Sequence, residues 1–199
     1  MDYSESKLPP TYDVAENELP YQIKLALWQT AFGLQKVDGL SPSEYMVELA
    51  YENIEGKKGY DAIYREISDY HREEHVDANT VEADIVSLRI AELLAEDHFL
   101  LSPSTRLGIH RHLFTDVFSE EIPVGKFRKV NITKKEPVLD GDTVQYSSHF
   151  MIQDTLVYDF EREQNFSYAG LTNEQKALHA MTFLADIWQV HPFREGNTR

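Results

Sequence analysis

The sequence has no cysteine. Disulfides, thiolate zinc sites and a cysteine nucleophile are therefore excluded. Long apolar runs are also missing; none approaches the ~20 residues of a membrane span. Positive charge is scarce, with 19 basic against 34 acidic residues and a formal net charge of −15. Such a surface repels nucleic acid and anionic membranes. The one local concentration of basic residues is short: Lys126, Arg128, Lys129, Lys134 and Lys135. The opening segment, MDYSESKLPPTYD, is acidic and polar and is no signal peptide. The expectation is a soluble cytoplasmic protein with neither nucleic acid nor membrane as partner. What is present suffices for a packed core: 199 residues, 42% hydrophobic. That length suits one domain, or one domain with a small appendage.

Residues 1–20 read as a disordered or loosely packed arm. From Tyr21, the spacing of Ile23, Leu27, Ala31 and Leu34 predicts a helix that Gly39 ends. Ser41 before Pro42 is the expected start of a second helix, through Tyr45, Leu49 and Ile54. A third follows Gly59, with Ile63 and Ile67 on one face. Residues 21–70 are thus a three-helix unit, too small to stand without a larger body. His71 to Ala78 reads as a linker or solvated helix end. Asn79, with Glu82 as its reciprocal partner, is the expected cap of a long helix with Val86, Ile90 and Leu93 inward. Ser102-Pro103 opens the next helix, which carries Leu107, His110, Leu113, Phe114 and Val117.

At Gly125 the pattern changes. Phe127, Val130, Ile132, Val138, Val144 and Tyr146 surround the turn Asp140-Gly141-Asp142, which predicts a hairpin or extended loop. Helical period returns at Ile152, Leu156 and Phe160. Thr172 with Gln175 forms a capping box, and Leu178, Met181, Leu184 and Trp188 are the expected buried stripe of the helix behind it. The fold class is mainly α with one small β excursion.

The chemistry concentrates in HPFREGNTR (191–199). His191 is turned off its helix by Pro192, and a neutral histidine takes a proton from a hydroxyl. Glu195 is a hard oxygen ligand of the kind that holds Mg²⁺ beside phosphate. Gly196 permits close approach of backbone N–H groups to an anion, and Asn197 adds an amide. A helix starting here favours phosphate, and Arg199 adds a cation aimed at the same anion. Base, metal ligand, anion cradle and cation together describe transfer of a phosphate-containing group. His110, His112, His149 and His179 lack ligand spacing and read as structural or surface residues, with His110 near the site.

These residues resemble the Fic-family signature HPFx[D/E]GNxR. The family's IHR helix is matched by IHRHLFTDVF (109–118), and its G-x-x-R-x-x-N-I segment by GKFRKVNI (125–132). The resemblance covers roughly 79–199 and implies a Fic-type helical bundle with a β-hairpin flap. It implies a nucleotidyltransferase that moves AMP from ATP, with Mg²⁺, to a Ser, Thr or Tyr hydroxyl of a target protein, another protein or the chain itself. His191 is then the base and Glu195 the Mg²⁺ ligand. Gly196, Asn197 and Arg199 hold phosphates, and Phe193 anchors the loop. Asn131, Ile132 and Thr133 belong to the flap that docks the target by strand-like pairing. Family members that run phosphoryl transfer with an inverted nucleotide tend to carry Ala at position 196; Gly suits AMP transfer. Thr198 stands where Gly is commoner. Many members carry a second arginine three residues beyond Arg199 on a continuing helix, so the Fic segment is expected to be cut short after the motif.

Residues 34–67 resemble the small antitoxin that blocks bacterial Fic toxins, whose inhibitory helix carries [S/T]xxxE[G/N]. The aligned positions are Leu34 and Asp38-Gly39. The resemblance makes Asp38 the inhibitory carboxylate, one methylene shorter than the usual glutamate, with Glu82 as a second candidate. Restraint of the enzyme by its own N-terminal helices follows. The competing expectation is a catalytically weak or inactive Fic-like module that binds nucleotide or protein. A homodimer is compatible with either.

Overall fold

The computed structural model describes residues 19–96, 99–135, 140 and 143–198. The arm expected over 1–20 falls outside these residues except for its last two positions. Val138, Gly141, Asp142 and Arg199 also lie outside them.

Helix α1 (Tyr21–Val37) follows Pro20 directly. It ends where Gly39 takes φ +73°, so that Gly39 N donates to Lys36 O (3.1 Å) and Leu40 N to Gln35 O (3.0 Å). This αL stop satisfies the last carbonyls and turns the chain sharply at Asp38. The inward side of α1 is Trp28, Ala31 and Gln35, whereas Ile23 is 47% exposed. Of the expected stripe, Ala31 is buried and Leu34 packs against the core, Ile23 lies outside it, and the wide indole of Trp28 joins the interface.

Helix α2 (Glu44–Ile54) is capped by Ser43, not Ser41; the Ser43 hydroxyl accepts from Met46 N at 3.0 Å. Pro42 then lies outside the helix. Helix α3 (Tyr60–Glu73) buries Ile63 and Ile67 completely. It includes His71, so the expected linker begins three residues late. Helix α4 (Ala78–Ala95) is capped by Asp77, whose carboxylate accepts from Asn79 N (3.0 Å) and Thr80 N (3.2 Å). Asn79 lies inside the helix, and the expected Asn79–Glu82 box does not form.

Helix α4 is the axis of the molecule. Ala83 through Leu88, Ile90 and Ala91 are all buried, including Asp84 and Ser87. A helix buried on nearly every side must be enclosed by neighbours. Here α1, α3 and α5 (Pro103–Phe114) pack on it. One core therefore joins the three N-terminal helices to α4 and α5. Asp84 ties the corner: it accepts from Ser43 N (2.7 Å), Ser43 Oγ (2.8 Å) and His71 Nε2 (2.8 Å). One buried carboxylate thus fastens the start of α2 and the end of α3 to α4.

Strands β1 (Thr133–Lys135) and β2 (Thr143–Gln145) pair antiparallel, with Lys134 opposite Val144. A 3-10 turn (His149–Met151) leads into α6 (Ile152–Gln164). Helix α7 (Asn173–Val190) begins with the expected Thr172–Gln175 capping box. Ile152, Leu156, Phe160, Phe183 and Val190 form a second, smaller core between α6 and α7. The expected inward stripe of α7 faces outward instead: Leu178 is 69% exposed, Met181 63%, Leu184 50% and Trp188 45%. Helix α7 has apolar residues on two sides, and α6 packs on the side bearing Phe183 and Val190. The architecture is mainly α with a two-stranded hairpin, as expected.

Candidate active site

The motif loop begins where α7 stops. His191 adopts φ 47°, ψ 61°, a left-handed conformation that costs a non-glycine residue roughly 1–2 kcal/mol. Its N–H still bonds back to Trp188 O at 3.1 Å. Pro192 follows, cannot continue a helix, and is buried. The pair ejects the imidazole from the helix line and reverses the chain.

The loop is then stapled from both sides. Phe193, 3% exposed, stacks on the His110 ring at 3.7 Å. Phe193 N donates to Asn197 Oδ1 (2.8 Å), and Asn197 Nδ2 donates to Phe193 O (2.9 Å). The Asn197 amide therefore closes the loop on itself and leaves backbone N–H groups to meet an anion. Gly196, at φ +72°, lies so close to Phe114 that a Cβ would stand 2.6 Å from Cε2 of that ring. No helix begins between Gly196 and Thr198.

Two residues behind the loop set its position. His110 accepts from Gly125 N through Nδ1 (2.9 Å), so its proton sits on Nε2, which donates to Glu195 O (3.0 Å). Burial first, and Arg106 nearby, hold its pKa below the ordinary histidine value. The neutral tautomer this favours is the one both bonds require. Arg128, 2% exposed, is a bracket. Its Nε donates to His191 O (2.8 Å), Nη1 to Val130 O (2.6 Å), and Nη2 to Val190 O (3.3 Å) and to Ser147 O. Its backbone N donates to Pro192 O at 2.8 Å. Both stems of the hairpin are thereby fastened to the end of α7 and the start of the loop. Arg128 consequently adds nothing to a basic surface patch, contrary to the expectation for 126–135.

His191 is half-buried, and its Nδ1 lies 3.4 Å from Trp188 O. That contact places the proton on Nδ1 and leaves Nε2 as the basic nitrogen. Burial is the main cause of a lowered pKa, and the charges of Arg128, Arg106 and Lys134 push the same way. A histidine so placed is neutral at pH 7 and competent as a base. Arg106, half-buried and donating to Ile187 O at 2.9 Å, is itself brought down to about 10 by desolvation.

His191, Glu195, Gly196 and Asn197 line one cleft of about 530 Å³ with Arg194 and Thr198. The opposite wall is the hairpin, through Ile132, Thr133, Lys134 and Tyr146. Asp38, Leu40 and Glu82 close a third side. Residues from four separate stretches of chain thus meet, and the volume is that of a small-molecule site. Asn131 stands behind the wall: its Oδ1 accepts from His149 N at 2.8 Å. Phe193 is buried beneath the loop. Arg199 lies outside the described residues.

A divalent cation is implied by the resemblance. Glu195 is exposed and lines the cleft with a hard oxygen donor. Among the described residues, no group of three or more His, Asp or Glu is placed to cage a metal. A single carboxylate suits Mg²⁺, which binds through one or two carboxylates together with substrate phosphates.

Three contributions were not foreseen: Arg128 as a bracket, the His110 relay from Gly125 to Glu195, and Tyr146 against His191. The GKFR and IHR segments were the only signals for the first two. Nothing local in sequence marks the third.

The fold and site so described define a helical protein with a tightly stapled glycine-containing loop facing a hairpin across a polar cleft. The sequence model of the Fic/DOC family matches residues 100–199, and the chain belongs to that family. No curated protein and no solved structure matches it. Among the described residues, no helix is long and apolar enough to cross a membrane.

Proposed function

We propose that the chain is a protein adenylyltransferase, which moves AMP from ATP to a Ser, Thr or Tyr hydroxyl of a target protein. The observation that carries this reading is the cleft, where a neutral histidine, an exposed carboxylate and a strained backbone loop face an edge of the hairpin.

In the mechanism, Glu195 would hold Mg²⁺ together with the phosphates, and the cation would offset the charge of the triphosphate. The Gly196 turn offers backbone N–H groups to phosphate oxygens. Strand β1 carries Thr133 and Lys134 on the cleft wall, and an extended target segment adds along it by main-chain pairing. His191 Nε2 takes the proton of the target hydroxyl as that oxygen bonds to the α-phosphorus. The α–β bridging bond breaks, and pyrophosphate leaves with its electron pair.

The same reading assigns the N-terminal helices a restraining role. Asp38 sits at the αL stop of α1 and lines the cleft, as does Glu82. A carboxylate there competes with phosphate for the loop and its cations. The antitoxin-like character of 21–70 belongs to this proposal.

The test is incubation of the full chain with labelled ATP, Mg²⁺ and candidate target protein, the chain itself included. His191→Ala is expected to abolish transfer, since general-base catalysis contributes about 10²–10⁴-fold. ATP binding should persist. Transfer at an unchanged rate would end the assignment. ATP binding by wild type without transfer to any protein would favour the nucleotide-binding module. Asp38→Ala should raise the transfer rate and Asp38→Glu lower it; if both leave it alone, Asp38 is a surface acid.

A further inference from the structure

The geometry points to Tyr146 as the residue that positions the general base, holding the His191 ring flat by stacking and not by a hydrogen bond. This rests on the reading of His191 as a base. The two ring centroids are 3.9 Å apart and the planes differ by 14°. Trp188 meets the imidazole edge-on at 5.6 Å and 87°, and meets Tyr146 the same way at 6.1 Å and 81°. The imidazole is therefore confined on one face and one side by aromatic rings.

A base needs an orienting partner, and a carboxylate on its second nitrogen is the usual one. Among the described residues, no carboxylate bonds to His191. The Nδ1 contact with Trp188 O is long, at 3.4 Å. Such a bond limits rotation weakly, so the stacked ring is the stronger constraint.

The hydroxyl of Tyr146 points to the same conclusion. It is buried and has no hydrogen-bond partner among the described residues. A buried phenol without a partner is unfavourable, so the ring and not the oxygen explains the aromatic side chain here.

The mounting of the two rings is shared. Tyr146 is the first residue past β2, and the next carbonyl, Ser147 O, accepts from Arg128 Nη2. The same guanidinium holds the carbonyls of Val190 and His191. The hairpin that docks the target and the histidine that deprotonates it are thus set on one bracket. Displacing Tyr146 misaligns the base without touching the phosphate loop.

The experiment compares Tyr146→Leu and Tyr146→Phe in the full chain by two independent readouts. The first is steady-state transfer. Leu should lower kcat by up to about 10²-fold, the scale of a misplaced reacting group, with the KM for ATP unchanged. Phe should restore kcat. The second readout needs no activity: the rate at which diethyl pyrocarbonate carbethoxylates His191, followed by mass spectrometry. Leu should make His191 react several-fold faster, and Phe should match wild type. If Leu unfolds the hairpin, Tyr146→Met gives the same comparison with an unbranched chain.

A Phe variant as impaired as Leu would overturn the proposal, because the hydroxyl would then be the active part. So would a raised KM with unchanged kcat, which makes Tyr146 a binding surface. Unchanged kcat and unchanged His191 reactivity in Leu would overturn it as well. If wild type transfers nothing while Leu still exposes His191, the adenylyltransferase reading fails and the positioning contact stands.

Discussion

Gly196→Ala adds one methyl group at the most constrained point of the motif loop. Its backbone sits at φ +72°, where an alanine costs about 1–2 kcal/mol. The new Cβ would stand 2.6 Å from Phe114 Cε2 and 2.8 Å from Cζ. Phe114 is fully buried, stacked on Phe118 at 4.6 Å and tilted against His110 at 4.9 Å. The ring therefore has nowhere to retreat, and overpacking of this kind costs about 1–3 kcal/mol. Together the two effects predict a loss of roughly 2–5 kcal/mol. With a urea slope near 2 kcal/mol per molar, the unfolding midpoint should fall by about 1–2.5 M. Gly108→Ala is the control of opposite sign. It lies inside α5 with nothing within 4 Å of the added atom, and should gain about 1 kcal/mol. An unchanged midpoint for Gly196→Ala beside a raised one for Gly108→Ala would refute the steric argument. The preference for glycine would then be a matter of nucleotide contact alone.

Arg128→Met leaves the carbonyls of His191, Val190, Val130 and Ser147 without their shared donor. A loss of at least about 3 kcal/mol is expected, measured by the same urea midpoints; a loss under a third of that would mean water replaces the bracket. Phe183→Ala should cost about 3–5 kcal/mol and Leu184→Gln no more than about 0.5, because Phe183 is 7% exposed and Leu184 50%. Equal thermal midpoints for the two variants would show that both sides of α7 are packed. The pKa values of His191 and His110 are lowered, so the folded chain resists protons that the unfolded chain accepts. Their contribution is intact above the unfolded value near 6.5 and is lost as pH falls towards the folded values. Chemical denaturation between pH 7.5 and 5 should therefore show declining stability, with a shallower decline in His110→Gln. The acid limb of transfer should lie below about pH 6.5, since His191 must be neutral to act. A limb above that point would mean another group governs it.

Element types were readable because period and capping are local. The Thr172–Gln175 box and the Ser102-Pro103 start were both present in the sequence as written. Two caps were misplaced by two residues, Ser43 for Ser41 and Asp77 for Asn79. In each, several suitable oxygens stood in a row, and spacing alone did not choose among them. Ser43 was selected by Asp84, 41 residues away. The phase of α7 was unreadable for a different reason. Two apolar sides satisfy a helical period equally well, and only the position of α6 decides which is buried.

The site divides along the same line. That His191, Glu195, Gly196 and Asn197 gather at one cleft was legible because they sit within one run. The groups that orient them were not, because they act through backbone carbonyls and ring faces, which no residue spacing encodes. Glu82 shows how a local explanation conceals a distant one. Its position three residues past Asn79 satisfied a capping rule, which explained it more simply than the inhibitory role for which it was a second candidate. Once Asp77 is the cap, Glu82 is one turn inside α4 and its place on the cleft wall has no local cause. Asp38 reaches the same wall from the end of α1, because the αL stop at Gly39 turns the chain there. Helix α1 packs along α4, so the two acids are carried by elements that share one core. Whatever holds α1 against α4 therefore also holds these carboxylates on the cleft wall. The N-terminal helices thus reach the cleft of the motif loop through their packing on α4, with no direct contact between α1 and His191 required.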